Sequence, residues 1–551
     1  DEDAFEFIAC QKKEHGKNKT LHWCPECNSN KDDLAIVGSK SATLTSLAVS
    51  QVLSSNLDDA SDKNRKILTF TNGVQDAAHL SSFIVARNFR FTFRASIQKV
   101  IEALEKEGKT PSLADVFERF TAYWEKECET VKAYLYRFFP PDYEGKIDLE
   151  KDYQNAGGDY KEFFLREFDQ RIFWEIVSEF GFTSTVGRSL ELTGSSAAFF
   201  RSEDISDVYE GMKPWLKENN LQTVSLEDFG RLASGFLMRM RQHGGIDHPY
   251  LKKFRKDLRL WDLNWNRDNT HFLNRLFGPN SRRLKAFITY PAMSEDTRQN
   301  ADTSYTNRSN WYFDYFKKCF PMAAAYAPLS NDFYKNFAEA MAATGILSRF
   351  EGSAGANYLI DPSRIFVTSD VRLIRCNKCQ SAYYTSKEDR FASESTCIIN
   401  RCTGSYSQEE EIEANYYQQI YKRERTPRIY SHEHTGLLDR KLRESIEVDF
   451  KERPEVNSIN SLVATSTLEM GIDIGDLNAE INVSVPPLTS NYLQRVGRAG
   501  RKSGAALILD FAKNEPHDLF FFEDPQEMMA GRVNTPCCFL KAKDILLRVL
   551  P

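Results

Sequence analysis

The feature that most constrains the fold is a series of short apolar segments that alternate with helical patterns between residues 426 and 511. The apolar segments are PRIYSHEH, SLVATS, AEINVSV and AALILDF, and the amphipathic stretch LLDRKLRESIEVDFKE follows the first of them. Short buried strands that alternate with helices are typical of a parallel sheet covered on both faces. The segment KILTF at 66–70 is predicted to be the first strand of the same sheet, separated from the others by an insertion of about 330 residues.

The insertion has two kinds of pattern. From about 96 to 225 helical periodicity dominates, as in SIQKVIEALEKEG. From 226 to 366 the pattern predicts a helix that starts after Ser225 as its N-cap, and later a helix that ends at Gly345. Two strands around a glycine-rich turn follow that second helix, and this order is typical of a winged-helix module.

The bulk composition limits the class of protein. A length of 551 residues exceeds what one hydrophobic core normally serves, so about three or four domains are expected. No apolar run approaches the roughly 18 residues of a membrane span. The net charge of −6 argues against non-specific coating of nucleic acid, but a local basic groove is compatible with it.

The cysteines cluster in two places. Cys376 and Cys379, followed after 17 residues by Cys397 and Cys402, offer four thiolates as two close pairs. Zinc takes four such ligands tetrahedrally, so the spacing predicts a structural zinc site.

A second cluster lies near the N-terminus. Cys10, Cys24 and Cys27 offer three thiolates, which also favour zinc. The fourth ligand is either His22 or a cysteine that precedes residue 1. These two alternatives remain open.

The stretch NYLQRVGRAGRKSG at 491–504 contains three arginines spaced three residues apart. On a helix, Arg495, Arg498 and Arg501 would share one face and repel one another unless an anion lay between them. Gly497 and Gly500 cost helix stability, about 1 kcal/mol each relative to alanine. The pattern therefore indicates close approach of another backbone or of a ligand.

One formal match to a nucleotide motif is rejected. Residues 103–110 fit the phosphate-loop pattern, with Gly108, Lys109 and Thr110 at its end. A working loop connects a buried strand to a helix, whereas the residues before Gly108 predict an amphipathic helix that this glycine ends. HEH at 432–434 is likewise interpreted as a strand end rather than a metal motif.

Two segments, VATSTLEMGIDIG at 463–475 and QRVGRAGR at 494–501, resemble motifs V and VI of superfamily 2 helicases. KILTFTNGVQDAAH at 66–79 resembles motif IV, and YSHEHTGLLDR at 430–440 resembles the segment that follows it. More narrowly, GSKSATLTSLAVSQVL, the zinc cluster and PHDLFFFEDPQEMMAGRV resemble very large bacterial DEAD/DEAH-box helicases with winged-helix and cysteine insertions. Some of these serve in antiphage defence, such as the Druantia system helicase.

The resemblance implies that the α/β part is the second RecA-like lobe of such a helicase, which binds ATP with Mg²⁺ between two lobes. The γ-phosphate of that ATP would be the anion that the arginine pattern requires. The implied site residues are the catalytic Arg498 and Arg501, with Arg501 favoured as the finger, the nucleotide-binding Gln494, Gly471 and Asp473, and the nucleic-acid-binding Thr71, Asn72, Gly436 and Thr465. Backbone N–H groups where strand meets helix can bind phosphate, and simple helix caps are the alternative for Asn72 and Gly436.

The predicted domains, in chain order, are an N-terminal zinc knuckle and helix at 1–60, the first part of the RecA-like lobe at 61–95, a helical insertion at 96–225, a winged-helix-like insertion at 226–366, a zinc-binding module at 367–412, the second part of the lobe at 413–515 and a C-terminal segment at 516–551.

No credible Walker A loop or DExx box accompanies these motifs, so the first lobe is expected elsewhere, normally in the same longer chain. This chain alone is then expected not to hydrolyse ATP. The expected partners are single-stranded or forked DNA, with RNA as an alternative, the first lobe, and subunits of a defence system in the bacterial cytoplasm. Trp261, Trp265 and Trp311 are candidates for base stacking, although core packing is the commoner use of tryptophan.

The alternative function is a non-catalytic, zinc-containing, nucleic-acid-binding scaffold of a multi-subunit complex. Intact Arg498, Arg501 and Asp473 favour the enzyme, because a scaffold needs no contact with a γ-phosphate.

Overall fold

The structure is a computed structural model of the 551-residue chain. The residues that it describes are 13–15, 19–21, 41–55, 65–141, 149, 153, 157–185, 187–248, 286–288, 301–303, 311–321, 327–352, 355–408, 416–423, 426–453, 455–468, 473–475, 477, 479–501, 504, 506–530 and 533. None of the helices within these ranges is long and apolar enough to cross a membrane.

The chain forms two compact units. One comprises residues 1–36 and 91–424, and the other comprises residues 37–90 and 425–551. The helices, in chain order, are α1 (Ser41–Ser54), α2 (Val74–Lys106), α3 (Leu113–Glu127), α4 (Val131–Phe138), α5 (Gly158–Glu179), α6 (Ser202–Glu218), α7 (Leu226–Gln242), α8 (Trp311–Cys319), α9 (Ala327–Ala343), α10 (Tyr416–Tyr421), α11 (Arg440–Glu452), α12 (Thr489–Val496), α13 (Pro516–Glu523) and α14 (Pro525–Met529).

The strands follow the same numbering. They are β1 (Lys13–His15), β2 (Lys19–Leu21), β3 (Ile67–Phe70), β4 (Ala197–Phe199), β5 (Ala286–Ile288), β6 (Ala301–Thr303), β7 (Leu347–Gly352), β8 (Gly355–Ile360), β9 (Phe366–Thr368), β10 (Val371–Cys376), β11 (Ala382–Ser386), β12 (Tyr406–Gln408), β13 (Ser431–His434), β14 (Ser461–Ala464), β15 (Ala479–Asn482) and β16 (Leu507–Asp510).

The smaller unit contains the predicted parallel sheet. Its five strands lie in the order β13, β14, β3, β15, β16, and every pair is parallel. Ile67 of β3 pairs with Ser461 on one side and with Ala479 on the other. KILTF is therefore the central strand of a sheet whose other strands come more than 300 residues later, as the sequence predicts.

Helices cover both faces of this sheet, because side chains alternate between the faces along each strand. One face is packed by Ile67, Val463, Ala479 and Ile481 with residues of α1 and α2, namely Val49, Leu53, Ala77, Leu80 and Ile84. The opposite face is packed by Leu68, Phe70, Leu462 and Ala464 with Ile446 and Phe450 of α11. The α/β fold class is thus confirmed.

The larger unit is mainly helical, with small sheets whose strand pairs are antiparallel except for β5 with β6. Helix α7 starts after Ser225, whose side chain accepts the Asp228 N–H as predicted. The predicted helix and two-stranded hairpin are also present, as α9 followed by β7 and β8, and β8 pairs further with β5. The interpretation of this arrangement as a winged-helix module stays a prediction.

The rejected phosphate loop is a helix end. Gly108 has φ +79°, and its N–H donates to Glu105 O while the Lys109 N–H donates to Leu104 O. These bonds close the last turn of α2 in the manner of a glycine C-cap. Residues 432–434 lie in β13, as expected.

Several predicted residues lie outside the described part. They are Cys10, Cys24, Cys27, His22, Trp261, Trp265 and Gly471. The N-terminal zinc site therefore stays a prediction.

Candidate nucleotide and nucleic-acid site with a zinc centre

Three threonines follow three neighbouring strands at the carboxyl edge of the parallel sheet. Thr435 follows β13, Thr465 follows β14 and Thr71 follows β3, and the strand ends pair in register. Adjacent strands are about 4.8 Å apart, so the threonines form a row of hydroxyl-bearing residues along this edge. Ligands of open α/β sheets bind outside the carboxyl ends of the strands.

Two backbone N–H groups at this edge already form hydrogen bonds to neighbouring strands. The Thr71 N–H donates to Ala464 O at 2.9 Å, and the Thr465 N–H donates to His434 O at 3.3 Å. The prediction that the Thr71 N–H is available to a phosphate is therefore wrong, because the sheet already uses it. A contact from Thr71 or Thr465 has to come from the side chain.

The other two predicted contacts occupy the adjoining turns. Asn72 donates its side-chain amide to Ser484 Oγ at 2.7 Å and so links the ends of β3 and β15. Gly436 is exposed in the turn after β13.

Thr435 was missed by the sequence analysis. It is 1% exposed, and its Oγ1 has no hydrogen-bond partner within the described ranges. A buried hydroxyl without a partner costs free energy of about 1–3 kcal/mol, so this oxygen marks a place where a ligand could supply the bond. The signal in the sequence was its position between the strand SHEH and Gly436.

Asp473 lies on the surface beside the C-terminal end of α11. Its Oδ2 is 2.7 Å from Lys451 Nζ, and its Oδ1 accepts the Gly475 N–H at 3.1 Å. The hydrogen bond from Lys451 is the main cause that lowers the pKa of Asp473, and the charge of Arg501 also lowers it. The structure thus brings the motif V aspartate near Arg501 of motif VI.

The three arginines do not share one helical face, contrary to the sequence prediction. Helix α12 ends at Val496, because Gly497 caps it, so only Arg495 lies on the helix. Arg495 is 2% exposed, donates to Asn482 Oδ1 at 3.1 Å and lies 4.8 Å from the centre of the Phe70 ring. It is a structural arginine that fixes α12 to the sheet.

Arg498 and Arg501 follow in the turn beyond α12. Arg498 is 5% exposed, and burial is the main cause that lowers its pKa, followed by the charge of Arg501. Arg501 is exposed, and its Nε donates to Gly497 O at 2.9 Å. Gln494 is exposed on α12.

A buried polar network lies beneath these arginines and was not predicted. Asn482 donates its amide to Asp510 Oδ1 at 2.9 Å and to Glu480 Oε1 at 3.3 Å, while its oxygen accepts from Arg495. Burial raises the pKa of Glu480 to about 8, although the charges of Arg495 and Arg498 oppose the shift. The available signal was the alternation of Glu480, Asn482 and Ser484 with apolar residues in AEINVSV.

The four predicted cysteines converge on one point. The Sγ atoms of Cys376 and Cys402 are 3.7 Å apart, those of Cys379 and Cys397 are 3.6 Å apart, and all four lie within 4.8 Å of one another. A tetrahedron of thiolates with Zn–S bonds of about 2.3 Å has edges of roughly 3.8 Å. The donor set and its spacing therefore fit zinc.

Backbone N–H groups support three of the sulfur atoms. The N–H groups of Lys378, Ile399 and Gly404 point to the Sγ atoms of Cys376, Cys397 and Cys402 at 3.4–3.5 Å. Such outer contacts orient metal ligands. Four thiolates leave no open position, so the centre is suited to a structural role.

Gly404 is required by close packing at this centre. A Cβ atom there would lie 2.5 Å from Cys376 Sγ and 2.8 Å from Asn377 Oδ1. A Gly404→Ala variant is therefore expected to displace the ligand loop, weaken zinc retention and lower the stability of the zinc module by about 1–3 kcal/mol. Zinc release to a colorimetric chelator during a thermal ramp measures this effect.

The matched control is Gly158→Ala, since a Cβ at Gly158 meets no atom within 4 Å. Equal zinc retention in the two variants would contradict the packing argument.

The four-cysteine module is held against α8 by the loop between its second pair of cysteines. Trp311 Nε1 donates to Ile398 O at 2.6 Å, and the Arg401 N–H donates to Asp314 Oδ2 at 3.1 Å. Trp311 is 6% exposed and stacks on Tyr315. Base stacking by Trp311 is therefore excluded in this conformation, and the core-packing alternative is confirmed.

Comparison with known proteins finds similarity to helicases over part of the chain. Residues 393–503 match the helicase conserved C-terminal domain. Druantia protein DruE of Escherichia coli (strain UMEA 4076-1) is 36% identical over 115 residues, which cover 19% of this chain and 6% of that protein. The uncharacterized ATP-dependent helicase MJ1574 of Methanocaldococcus jannaschii is 39% identical over 94 residues, which cover 17% of this chain and 13% of the relative.

A solved structure, the DUF1998 helicase MrfA bound to DNA and AMPPNP, is 29% identical, with a TM-score of 0.18 and coverage of 21% of this chain and 15% of that one. The chain thus matches only a small part of the length of its relatives. Residues 393–503 thus resemble the C-terminal domain of helicases, and part of the chain is similar to the Druantia protein.

Proposed function

We propose that this chain, whose residues 393–503 match the helicase conserved C-terminal domain, contains the second RecA-like lobe of an ATP-dependent DNA translocase. Arg498 and Arg501 contact the γ-phosphate of an ATP–Mg²⁺ that another lobe holds, and Asp473 contributes to the nucleotide side of the site. The observation that carries the proposal is the proximity of two segments, 463–475 and 494–501, that resemble helicase motifs V and VI. Asp473 and Arg501 lie near enough for their charges to interact.

The proposed chemical role of the two arginines is to neutralise negative charge on the transferred phosphoryl group. Phosphoryl transfer is catalysed chiefly by positioning and by stabilising the charge that spreads over the transferred group. Two guanidiniums on one turn supply that charge. ATP hydrolysis then alternates the lobe between two positions on the nucleic acid.

The strand itself is bound through its phosphates. Thr435, Thr465 and Thr71 form the row along the edge, and hydroxyl contacts to phosphate position a strand without determining its sequence. The proposed substrate is single-stranded or forked DNA, and the likeness to the Druantia protein supports a role in bacterial antiphage defence. The zinc module stabilises the insertion. The insertion in turn guides the duplex or separates its strands.

Thr435 provides the sharpest test of the strand site. Thr435→Val removes only an oxygen that has no partner in the described part of the chain, so thermal stability is expected to stay equal or rise. Affinity for a fluorescent oligo(dT) is expected to fall about tenfold, because a hydrogen bond to a charged group contributes roughly 1.5–3 kcal/mol. Fluorescence anisotropy at fixed salt measures the affinity.

Ser445→Ala on the outer side of α11 is the control, since its hydroxyl bonds only to Leu442 O. Unchanged oligo(dT) affinity in both variants would remove Thr435 from the strand site. A parallel titration with oligo(U) decides between DNA and RNA.

A further inference from the structure

Leu437 is the most exposed large apolar side chain in the described part of the chain, at 82%. It lies in the turn between β13 and α11, directly after Gly436. Single exposed leucines are common on protein surfaces, so the exposure alone does not mark a site. The position of Leu437 is what matters, because Thr435 of the proposed strand site is two residues away. Consecutive Cα atoms are about 3.8 Å apart, so the two residues lie within about 7.6 Å of each other.

The turn that carries Leu437 is fixed at both ends. The Leu438 N–H donates to Thr435 O at 3.3 Å and closes the turn. Asp439 then caps α11, because its Oδ1 accepts the Lys441 N–H at 2.9 Å. The backbone that presents Leu437 is therefore ordered by the fold itself, which lowers the conformational entropy that a contact costs.

The two leucines of this turn have different surroundings. Leu438 packs against the apolar cluster between the sheet and α11, whereas most of the surface of Leu437 is in water. Core packing therefore explains an apolar residue at position 438 but not at position 437. The exposed methyl and methylene groups of Leu437 are available to an apolar surface of a ligand.

The surroundings of Leu437 suit a ligand that is both anionic and apolar. Hydroxyl groups that can contact phosphates follow the neighbouring strands, on Thr435, Thr465 and Thr71. The first turn of α11 contains no acidic residue, and the exposed Lys441 lies next to the capping carboxylate of Asp439. A single nucleic-acid strand combines a phosphate backbone with unpaired base faces that pack against side chains.

We propose that Leu437 contacts a nucleobase of the DNA strand whose phosphates lie along the row of threonines. The inference rests on the proposed function, and it deepens that function by adding a base contact to a site made of phosphate contacts. Apolar side chains such as leucine pack between base steps in other nucleic-acid complexes. A leucine side chain has no hydrogen-bonding atom, so it cannot distinguish the edges of the bases. The contact therefore adds affinity without determining sequence.

The test compares two fluorescein-labelled strands of equal length, oligo(dT) and an abasic deoxyribose phosphate strand, by anisotropy with the whole chain at fixed salt. Both strands carry the same number of phosphates, so the difference between their affinities isolates the bases. Leu437→Ala is expected to weaken oligo(dT) binding about five- to tenfold, the effect of losing most of the apolar burial of a leucine side chain. Its affinity for the abasic strand is expected to equal that of the wild-type chain.

Leu192→Ala is the matched control, since Leu192 is an exposed leucine of the larger unit. Leu437→Met keeps the apolar volume and is expected to bind both strands as the wild-type chain does. A loss in Leu437→Ala that is equal for the two strands, or that Leu192→Ala reproduces, overturns the base contact.

Thr435→Val separates this inference from the proposed function. If it weakens the binding of both strands equally while Leu437→Ala changes neither, only the base contact is wrong. If neither substitution changes the binding of either strand, or if the wild-type chain binds neither strand, the strand site itself is wrong and both proposals fail.

Discussion

An Arg501→Ala substitution, in a polypeptide that joins this chain to an ATP-holding lobe, is expected to lower kcat for ATP hydrolysis by about 10³- to 10⁵-fold. Arg501 is exposed and near Asp473, so its guanidinium is available at the surface that would meet the nucleotide. Arg498→Ala is expected to cause a loss of the same order, because the two charges act together on one phosphate. Nucleic-acid affinity without nucleotide is expected to be unchanged, because the strand site lies on a different edge.

Arg440→Ala is the matched control, since Arg440 is an exposed arginine whose partner is Glu444 on the same helix. Steady-state hydrolysis with saturating oligo(dT) gives kcat and KM separately. A rise of KM alone would assign these arginines to ground-state binding. Normal kcat in both arginine variants would instead favour the zinc-containing scaffold.

The second large effect concerns the zinc centre. Cys402→Ser removes one of four thiolates whose Sγ atoms lie within 4.8 Å of one another. Structural zinc in small domains contributes an apparent binding free energy of about 10–16 kcal/mol, and most of it is coupled to the folding of the module. We expect the variant to lose one equivalent of zinc and to unfold the segment from β10 to β12.

The unfolding is expected to spread to α8, because Trp311 and Asp314 bond to the ligand loop through Ile398 and Arg401. Hydrogen exchange read by mass spectrometry, together with a zinc count, measures both effects. Cys128→Ser is the control, since Cys128 lies at the end of α3 and outside the cluster. Full protection of α8 in the zinc-free variant would contradict a structural role for the metal.

The fold was predictable where local patterns are strong. The apolar segments of the sheet and the cysteine spacing each have few structural solutions. The parallel sheet is confirmed, and the four cysteines converge in a geometry that is compatible with zinc. The strand KILTF was assigned to a sheet whose other strands come more than 300 residues later because it is, like them, a short apolar segment next to a helical pattern. Spacing and periodicity carry this information without any knowledge of tertiary contacts.

The sequence predictions are wrong where contacts between residues distant in sequence determine the local structure. The spacing of the arginines predicted that they share one helical face. Because Gly497 ends α12, Arg498 and Arg501 lie in the turn that follows the helix. The hydrogen bond that occupies the Thr71 N–H belongs to a strand distant in sequence, so local reasoning could not anticipate it. Glu480 and its network were overlooked for the same reason, since its neighbours are residues of α12 and β16.

The most direct measurement of the central claim is ATP hydrolysis by this chain alone, with and without single-stranded DNA, beside its Arg501→Ala variant. No turnover above background is expected in either protein, because the chain supplies the arginines and the strand edge while another lobe holds the nucleotide. Turnover that DNA stimulates and that the variant loses would contradict it, since the chain would then contain a complete ATP site.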